Sequence, residues 1–502
     1  MSKHMPHLSG GIKKGDSALV DPPTGKVVQS RLTQSHPDMP VSVLGLASAV
    51  PDTLAPPSHF DRFAKKWTRP SAALDKTLSV NSHTGILHRP SLHGTDSPIL
   101  NRLTPPPIQD VVEVFLRLGG ALALTASQRA IVDWARPISE ITHLICTTCT
   151  GSSHPGYDLF LHQQLGLGSE VERTLIHGIG CAGGLAIVRL ARNICVAEEL
   201  LGRRARVLVV ALEVTSTLLR TEMQSLDEEG AKGGTKPNVA STIFSDAASA
   251  MIIGSGEMGE DEHASFEILG CATETVANTE DDLAFHIRET GWRAILTTRV
   301  PALTTAAVPS LFTRLLRIAT SRPCSLPILT CSTQPNELDW FIHTGGSLIL
   351  TVLSKTLQLA GPNDDPSQTS PSWQMYKERG NASSASIGGV IERGRLLGGR
   401  EGVVAVAFGP GVTVEMVILR RCEWRGRDPA LGKSVVPNGV DDKVLERDQR
   451  EKAEVAVVET EAKVIVAKES NGLELPVNNV IETKQGAALR EKDQRCVLGL
   501  LV

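Results

Sequence analysis

Short apolar runs alternate with longer stretches of helical spacing through the middle of the chain. VSVLGLASAV (41–50), HLICTTCT (143–150), ARVLVVALEV (205–214), ASAMIIGSG (248–256) and DWFIHTG (339–345) carry few polar residues, and GVVAVAFGPGVTVEMVIL (402–419) extends the pattern. Strands without polar alternation predict a sheet covered on both faces, because a face open to water carries polar side chains at every second residue. Between these runs, DVVEVFLRLGGALAL (110–124) and LAIVRLARNICVAEELLG (185–202) space their apolar residues by three and four, which predicts amphipathic helices. The mixture predicts an α/β fold.

The ends break this pattern. Residues 1–40 are polar, rich in Ser, Pro, Gly and Lys, and read as a disordered leader. Residues 423–502 turn charged again and read as a largely disordered tail. A short echo lies inside the core: Cys181 and His343 are each followed by x-Gly-Gly and an apolar helix. A duplicated half would leave such a trace.

Composition narrows the function. The 502 residues carry 51 basic and 55 acidic side chains, a net charge of −4, which gives no electrostatic footing for a nucleic-acid partner. Aromatics at 4% argue against a stacking platform. Nine scattered cysteines in a chain of 502 residues do not form a disulfide scaffold. The first residues lack the apolar core of a signal peptide, and the apolar run 402–419 is broken by Gly409-Pro410-Gly411 and carries Glu415. The expectation is a reducing, cytoplasmic location and no membrane span.

Three residues stand out chemically. Cys181, in HGIGCAGGLAIVRLARN, sits after a glycine turn at a helix start, where free N–H groups and the helix dipole lower a thiol pKa. The competing reading is a buried structural cysteine. His343, in DWFIHTGGSLIL, is either a core histidine or an imidazole that serves a thiol or a carbonyl oxygen. Asn381, in ERGNASSASIGG, is either a turn residue or a neutral donor to a thioester carbonyl. Cys146-Thr-Thr-Cys149 has no second pair at metal-ligand spacing, and no phosphate loop is present.

Taken in order, HLICTTCTGSSHPGYDL (143–159), IHGIGCAGGLAIVRLAR (176–192), ASTIFSDAASAMIIG (240–254), WFIHTGGSLIL (340–350), GNASSA (380–385) and AFGPGVTVEMVIL (407–419) resemble the type III polyketide synthases. These are the chalcone-synthase-like family of the thiolase superfamily. Insertions at 221–240 and 318–336 make the chain similar to the fungal branch. The resemblance implies a thiolase-like five-layer αβαβα fold from two duplicated halves, 41–258 and 259–422, and a homodimer. It implies acyl-CoA and malonyl-CoA as substrates and no bound cofactor or metal.

By motif, Cys181 is the nucleophile that takes the acyl starter. His343 and Asn381 polarise the malonyl thioester and so assist its decarboxylation. Phe244 is a gatekeeper aromatic, and Ala294 stands at the second gatekeeper position. Cys149, Thr150, His154, Leu218, Phe285, Ser383 and Pro410 are implied cavity residues, and Lys76 an implied coenzyme A contact. Departures from the plant pattern at Ala294, Phe285 and Leu218 suggest a medium- or long-chain fatty acyl starter. The products would then be alkyl pyrones, alkylresorcinols or alkylresorcylic acids. The alternatives are a ketoacyl-synthase-III-like single condensation and a non-catalytic acyl-CoA-binding protein of the same fold.

Overall fold

Alternate residues of the strand Arg206–Glu213 enter two different cores: Val207, Val209 and Ala211 one, Leu208, Val210 and Leu212 another. The strand Gly402–Gly409 behaves likewise, with Val403, Ala405 and Ala407 joining the first core and Val404, Val406 and Phe408 a third. This is the two-sided burial that the unbroken apolar runs predict. Burying each such aliphatic side chain contributes ~1.5–3 kcal/mol, which makes the sheet a rigid base for the loops at its strand ends. The computed structural model describes residues 40–422 apart from 260, 322–325, 328 and 360–367. The predicted leader, except for Pro40, and the predicted tail lie outside the described residues.

In chain order the longer strands are β1 Ser42–Ala49, β2 His143–Thr147, β3 Glu172–Ile176, β4 Arg206–Glu213, β5 Ala247–Gly254, β6 Phe266–Thr275, β7 Leu283–Arg288, β8 Gly291–Leu296, β9 Asp339–Ile342, β10 Gly402–Gly409 and β11 Thr413–Arg421. Among the described residues, nine of them form one sheet ordered β9-β10-β11-β6-β1-β5-β4-β2-β3, while β7 and β8 form a separate hairpin. The sheet is narrow between β1 and β6, which pair only at Ser42 with Glu267 and Val43 with Phe266. Each side of that seam repeats one pattern. β1 with β5 and β5 with β4 are antiparallel, and β4 with β2 is parallel. β6 with β11 and β11 with β10 are antiparallel, and β10 with β9 is parallel.

The helices complete the layers. The shared core holds Leu185, Ile187, Val188 and Ala191 of α2 (Gly183–Leu200) together with Ile387, Val390 and Ile391 of α5 (Ser386–Leu397). Outside the side of the sheet that holds β1, β5, β4, β2 and β3 lies α1 (Gly120–Trp134), packed through Ala123, Ala126, Ala130 and Trp134. Outside the other lie α3 (Val300–Ala319) and α4 (Ser347–Thr356). The result is a thiolase-like αβαβα stack of two duplicated halves. The stretch Gly180–Leu200 is long and apolar enough to cross a membrane by composition, but here α2 is the buried helix between the sheets.

Two details differ from the sequence reading. The helix predicted over 110–124 runs as Ile108–Val114, a π turn at Phe115–Gly119, and α1 on to Trp134, because Ala126, Ala130 and Trp134 extend the buried face past residue 124. The echo between Cys181 and His343 does not mark equivalent positions. α2 runs into β4 and α5 into β10, so the counterpart of the Cys181 helix is the helix that follows Asn381. His343 directly follows β9, the place Thr148 holds after β2.

Candidate active site

Cys181 lies in a single 3-10 turn, Gly180–Ala182, that opens into α2. Gly180 takes φ +51°, and a Cβ there would come within 2.4 Å of Pro410 Cδ. Only glycine permits this approach. The loop between β10 and β11 thereby presses on the turn and fixes the cysteine beside Pro410.

The Cys181 thiol donates a hydrogen bond to Ser383 Oγ at 3.3 Å. Burial pushes the thiol up to about 12, against the opposing pull of the Ser383 hydroxyl. The helix start was expected to lower this pKa. Enclosure in protein outweighs that end effect, because a thiolate loses more water than the dipole returns.

His343 is 1% exposed, and its Nδ1 has no hydrogen-bond partner among the described residues. Its backbone N–H donates to Val406 O at 2.9 Å, which ties the residue to β10. Burial pushes the imidazole down to about 4, so the ring is neutral near pH 7. Asn381 follows Gly380, which takes φ +67° and whose Cβ would sit 2.7 Å from Ile243 O. That close pass lets Asn381 N donate to Ile243 O and its own carbonyl accept from Ser245 N, both at 2.9 Å, beside Phe244. The side-chain Oδ1 accepts from Ser383 N at 2.8 Å, which leaves the amide NH₂ as the free donor.

These groups line one shared pocket, partly open to solvent. Cys149, Cys181, His343, Asn381 and Ser383 supply its polar and thiol groups, and Pro410 lines it as well. Phe244, Phe285 and Ala294 line it too, as the resemblance implied, together with Leu283, Ile295, Leu296, Val300, Ile349 and Phe408, which sequence reasoning missed. Phe285 stacks edge-on to Phe244 at 6.1 Å and lies 6.1 Å from Trp292, closing one wall with aromatic surface. Among the described residues, no cluster of His, Cys, Asp and Glu suits a metal ion.

Four implied residues stand off the cavity wall. Leu218 is buried with Val111 and Trp292, behind Phe285. Thr150 turns its hydroxyl to Glu213, at 2.8 Å. His154 is exposed on a loop, and Lys76 is exposed on the helix Ala72–Ser82. Cys146 and Cys149 are not a pair: both are free, and Cys146 packs into the outer core with α1.

Sequence reasoning also missed Glu213, the last residue of β4 and 0% exposed. Its carboxylate accepts from the Thr150 and Ser384 hydroxyls and from the backbone N–H and thiol of Cys149. Burial pushes this carboxyl above the usual range, while those donors pull it down. One signal was available: an acid closing the otherwise apolar run VLVVALEV.

A thiol, a neutral imidazole and a carboxamide around one enclosed space suit exchange at a thioester, and the layered duplicated sheet is that of thiolase-like acyltransferases. Residues 86–257 match the N-terminal domain of the chalcone and stilbene synthases, and residues 267–423 match their C-terminal domain. The chain belongs to the chalcone and stilbene synthase family and is a type III polyketide synthase, an acyltransferase. It is 33% identical over 389 residues to the type III polyketide synthase pspB of Penicillium soppii, covering 76% of this chain and 96% of that one. It is likewise 33% identical over 396 residues to the acylalkylpyrone synthase csyB of Aspergillus oryzae, covering 78% and 96%. The crystal structure of a fungal type III polyketide synthase, ORAS, matches with TM-score 0.71 at 35% identity, over 76% of this chain and all of that one. The structure of CsyB complexed with CoA-SH matches with TM-score 0.70 at 31% identity, over 76% and 100%.

Proposed function

We propose that this synthase condenses malonyl-CoA repeatedly onto a medium- or long-chain fatty acyl starter held as a thioester on Cys181. The observation that carries the reading is the convergence of Cys181, His343 and Asn381 on one cavity otherwise lined mainly by aliphatic and aromatic side chains. The neutral His343 ring accepts the Cys181 proton as the sulfur attacks the acyl-CoA carbonyl; the bond to coenzyme A breaks, and the proton passes to the departing thiolate. Malonyl-CoA then places its thioester oxygen against His343 and the Asn381 amide. Loss of carbon dioxide leaves an enolate, whose charge those two donors hold without a base. The enolate carbon attacks the Cys181 thioester carbonyl, the bond to the Cys181 sulfur breaks to release its thiolate, and the chain, now a coenzyme A thioester, has grown by two carbons.

Ala294 in the wall beside Ile295 and Leu296 gives an alkyl chain a path that a larger side chain would close. Alkyl pyrones, alkylresorcinols or alkylresorcylic acids are the products this predicts. A relative solved with CoA-SH supports a coenzyme A thioester as the substrate form. The proposal extends to halves 41–258 and 259–422, to a homodimer and to a cytoplasmic site of action. The test is mass spectrometry of products made from malonyl-CoA with short, medium and long acyl-CoA starters. Long-chain pyrones or resorcinols that vanish in Cys181→Ala are expected. Products that persist in that variant overturn the role of Cys181, and a preference for aromatic starters overturns the fatty acyl assignment.

A further inference from the structure

The cavity contains a second cysteine with a base of its own. Cys149 lines the same wall as Cys181, and its Sγ stands 3.3 Å from Glu213 Oε2. Glu213 is held by the Thr150 hydroxyl at 2.8 Å and by the Ser384 hydroxyl on its other oxygen. Its bonded partners are all neutral. A nucleophile within reach of a base that further groups orient is the arrangement of covalent catalysis. Nothing in the proposed condensation uses it.

The two sulfurs are also joined. Ser383 Oγ is 3.3 Å from Cys149 Sγ and 3.3 Å from Cys181 Sγ. Ser383 holds this place with φ +47°, a conformation that side chains other than glycine rarely adopt. Strain of this kind persists where the surrounding structure enforces it, and it concentrates at functional sites. The enforcing contact is the Asn381 Oδ1 bond to Ser383 N at 2.8 Å.

We infer that Cys149 is a second acyl-accepting residue, which takes an acyl group from Cys181 by thioester exchange with Glu213 as base. The inference rests on the proposed loading of Cys181. In the step, the Cys149 sulfur attacks the carbonyl carbon of the acyl group on Cys181. The Cys149 S–H proton goes to the Glu213 carboxylate, the carbon–sulfur bond to Cys181 breaks, and Cys181 departs as a thiolate that accepts the Ser383 hydroxyl bond. One proton has moved from Cys149 to Glu213, and the negative charge from Glu213 to Cys181. Cys181 is then free for another acyl-CoA while the first acyl group stays in the cavity. Burial raises the Cys149 thiol well above its ordinary value, with the Glu213 charge adding to the effect. The sulfur therefore reacts only as the carboxylate removes its proton, which makes the step dependent on Glu213.

The test uses the full chain and a long-chain acyl-CoA without malonyl-CoA. The reaction is quenched in acid to stop migration between thiols and mapped by mass spectrometry. Cleavage after Arg173 puts Cys149 and Cys181 on separate peptides. Acyl mass on both peptides is expected, with the Cys149 signal lagging that of Cys181. Cys149→Ala should remove the label from its peptide and leave Cys181 labelled, which separates Cys149 from its neighbour Cys146. Glu213→Gln should reduce the Cys149 label at least tenfold relative to Cys181, with its circular dichroism spectrum reporting that the variant folds. Label confined to Cys181 in the unaltered protein overturns the inference and leaves the proposed function standing. Cys149 label that survives Cys181→Ala overturns the transfer step. Label on neither cysteine overturns the proposed loading and this inference with it.

Discussion

The Ser383 hydroxyl oxygen lies 3.3 Å from the Cys181 sulfur, although 202 residues separate them in the chain. It is the larger of two hydrogen bonds that pull this thiol toward its charged form, the other being to the backbone, while burial and the Glu213 carboxylate push the other way. A hydrogen bond to a charged group contributes ~1.5–3 kcal/mol. Ser383→Ala should therefore slow iodoacetamide alkylation of Cys181 by about tenfold or more at fixed pH, read on the Cys181 peptide. An unchanged rate would mean that the hydroxyl does not hold the thiolate.

His343 makes stability depend on pH in a defined direction. Its folded pKa is pushed down to about 4, below the unfolded value of 6.5. Between those values the unfolded chain binds a proton that the native protein excludes, so stability falls as pH drops from 6.5 toward 4. At ~1.36 kcal/mol per pH unit the loss is about 3 kcal/mol. His93, also pushed down to about 4 by burial, adds a second such slope. The comparison therefore needs His343→Gln beside the unaltered protein. The variant should gain up to about 3 kcal/mol relative to it between pH 7 and pH 4 in urea unfolding. Parallel curves would show that His343 is not buried neutral.

Ala294 lines the pocket beside Ile295 and Leu296. Its backbone N–H donates to the buried Glu222 carboxylate at 2.9 Å, so a larger side chain there cannot easily move its backbone aside. Ala294→Phe should lower kcat/KM for long-chain acyl-CoA at least tenfold relative to short-chain acyl-CoA, about 1.4 kcal/mol of discrimination. Equal losses for both chain lengths would remove Ala294 from the acyl path.

Glu262 anchors the fold far from this chemistry. It accepts from Arg206 Nη2 at 2.6 Å, Arg204 Nη2 at 2.7 Å and Trp134 Nε1 at 2.7 Å, and its side chain and that of Arg206 are almost wholly buried. Removing one partner leaves a buried guanidinium uncompensated, which costs about 3–5 kcal/mol. Glu262→Ala should show that loss in urea unfolding while the ratio of products stays unchanged.

Seven of the nine strands of the large sheet were legible because they are buried on both faces, so few polar residues interrupt the runs. Cys181 was legible for a different reason: a cysteine between glycines at a helix start is a local pattern. The strands β3 and β6 were not singled out. β3 lies at the sheet edge with exposed Glu172, Arg173 and Thr174, and β6 alternates buried and part-exposed residues. Glu213 was passed over because one acid ending an apolar run carries no sign of the hydroxyls that will meet it.

By itself, the sequence determined the layered α/β architecture, the family, and the three residues that face the cavity, since each depends on local periodicity or on a short motif. Tertiary structure alone decided the rest. It paired the helix of Cys181 with that of Asn381 rather than with His343, because equivalence follows strand order and not a repeated x-Gly-Gly. It raised the Cys181 thiol and lowered the His343 imidazole, because desolvation depends on what encloses a group. It brought Cys149, Glu213, Ser383 and Cys181 into one chain of contacts, because four separate segments meet where two sheets and two central helices close on each other.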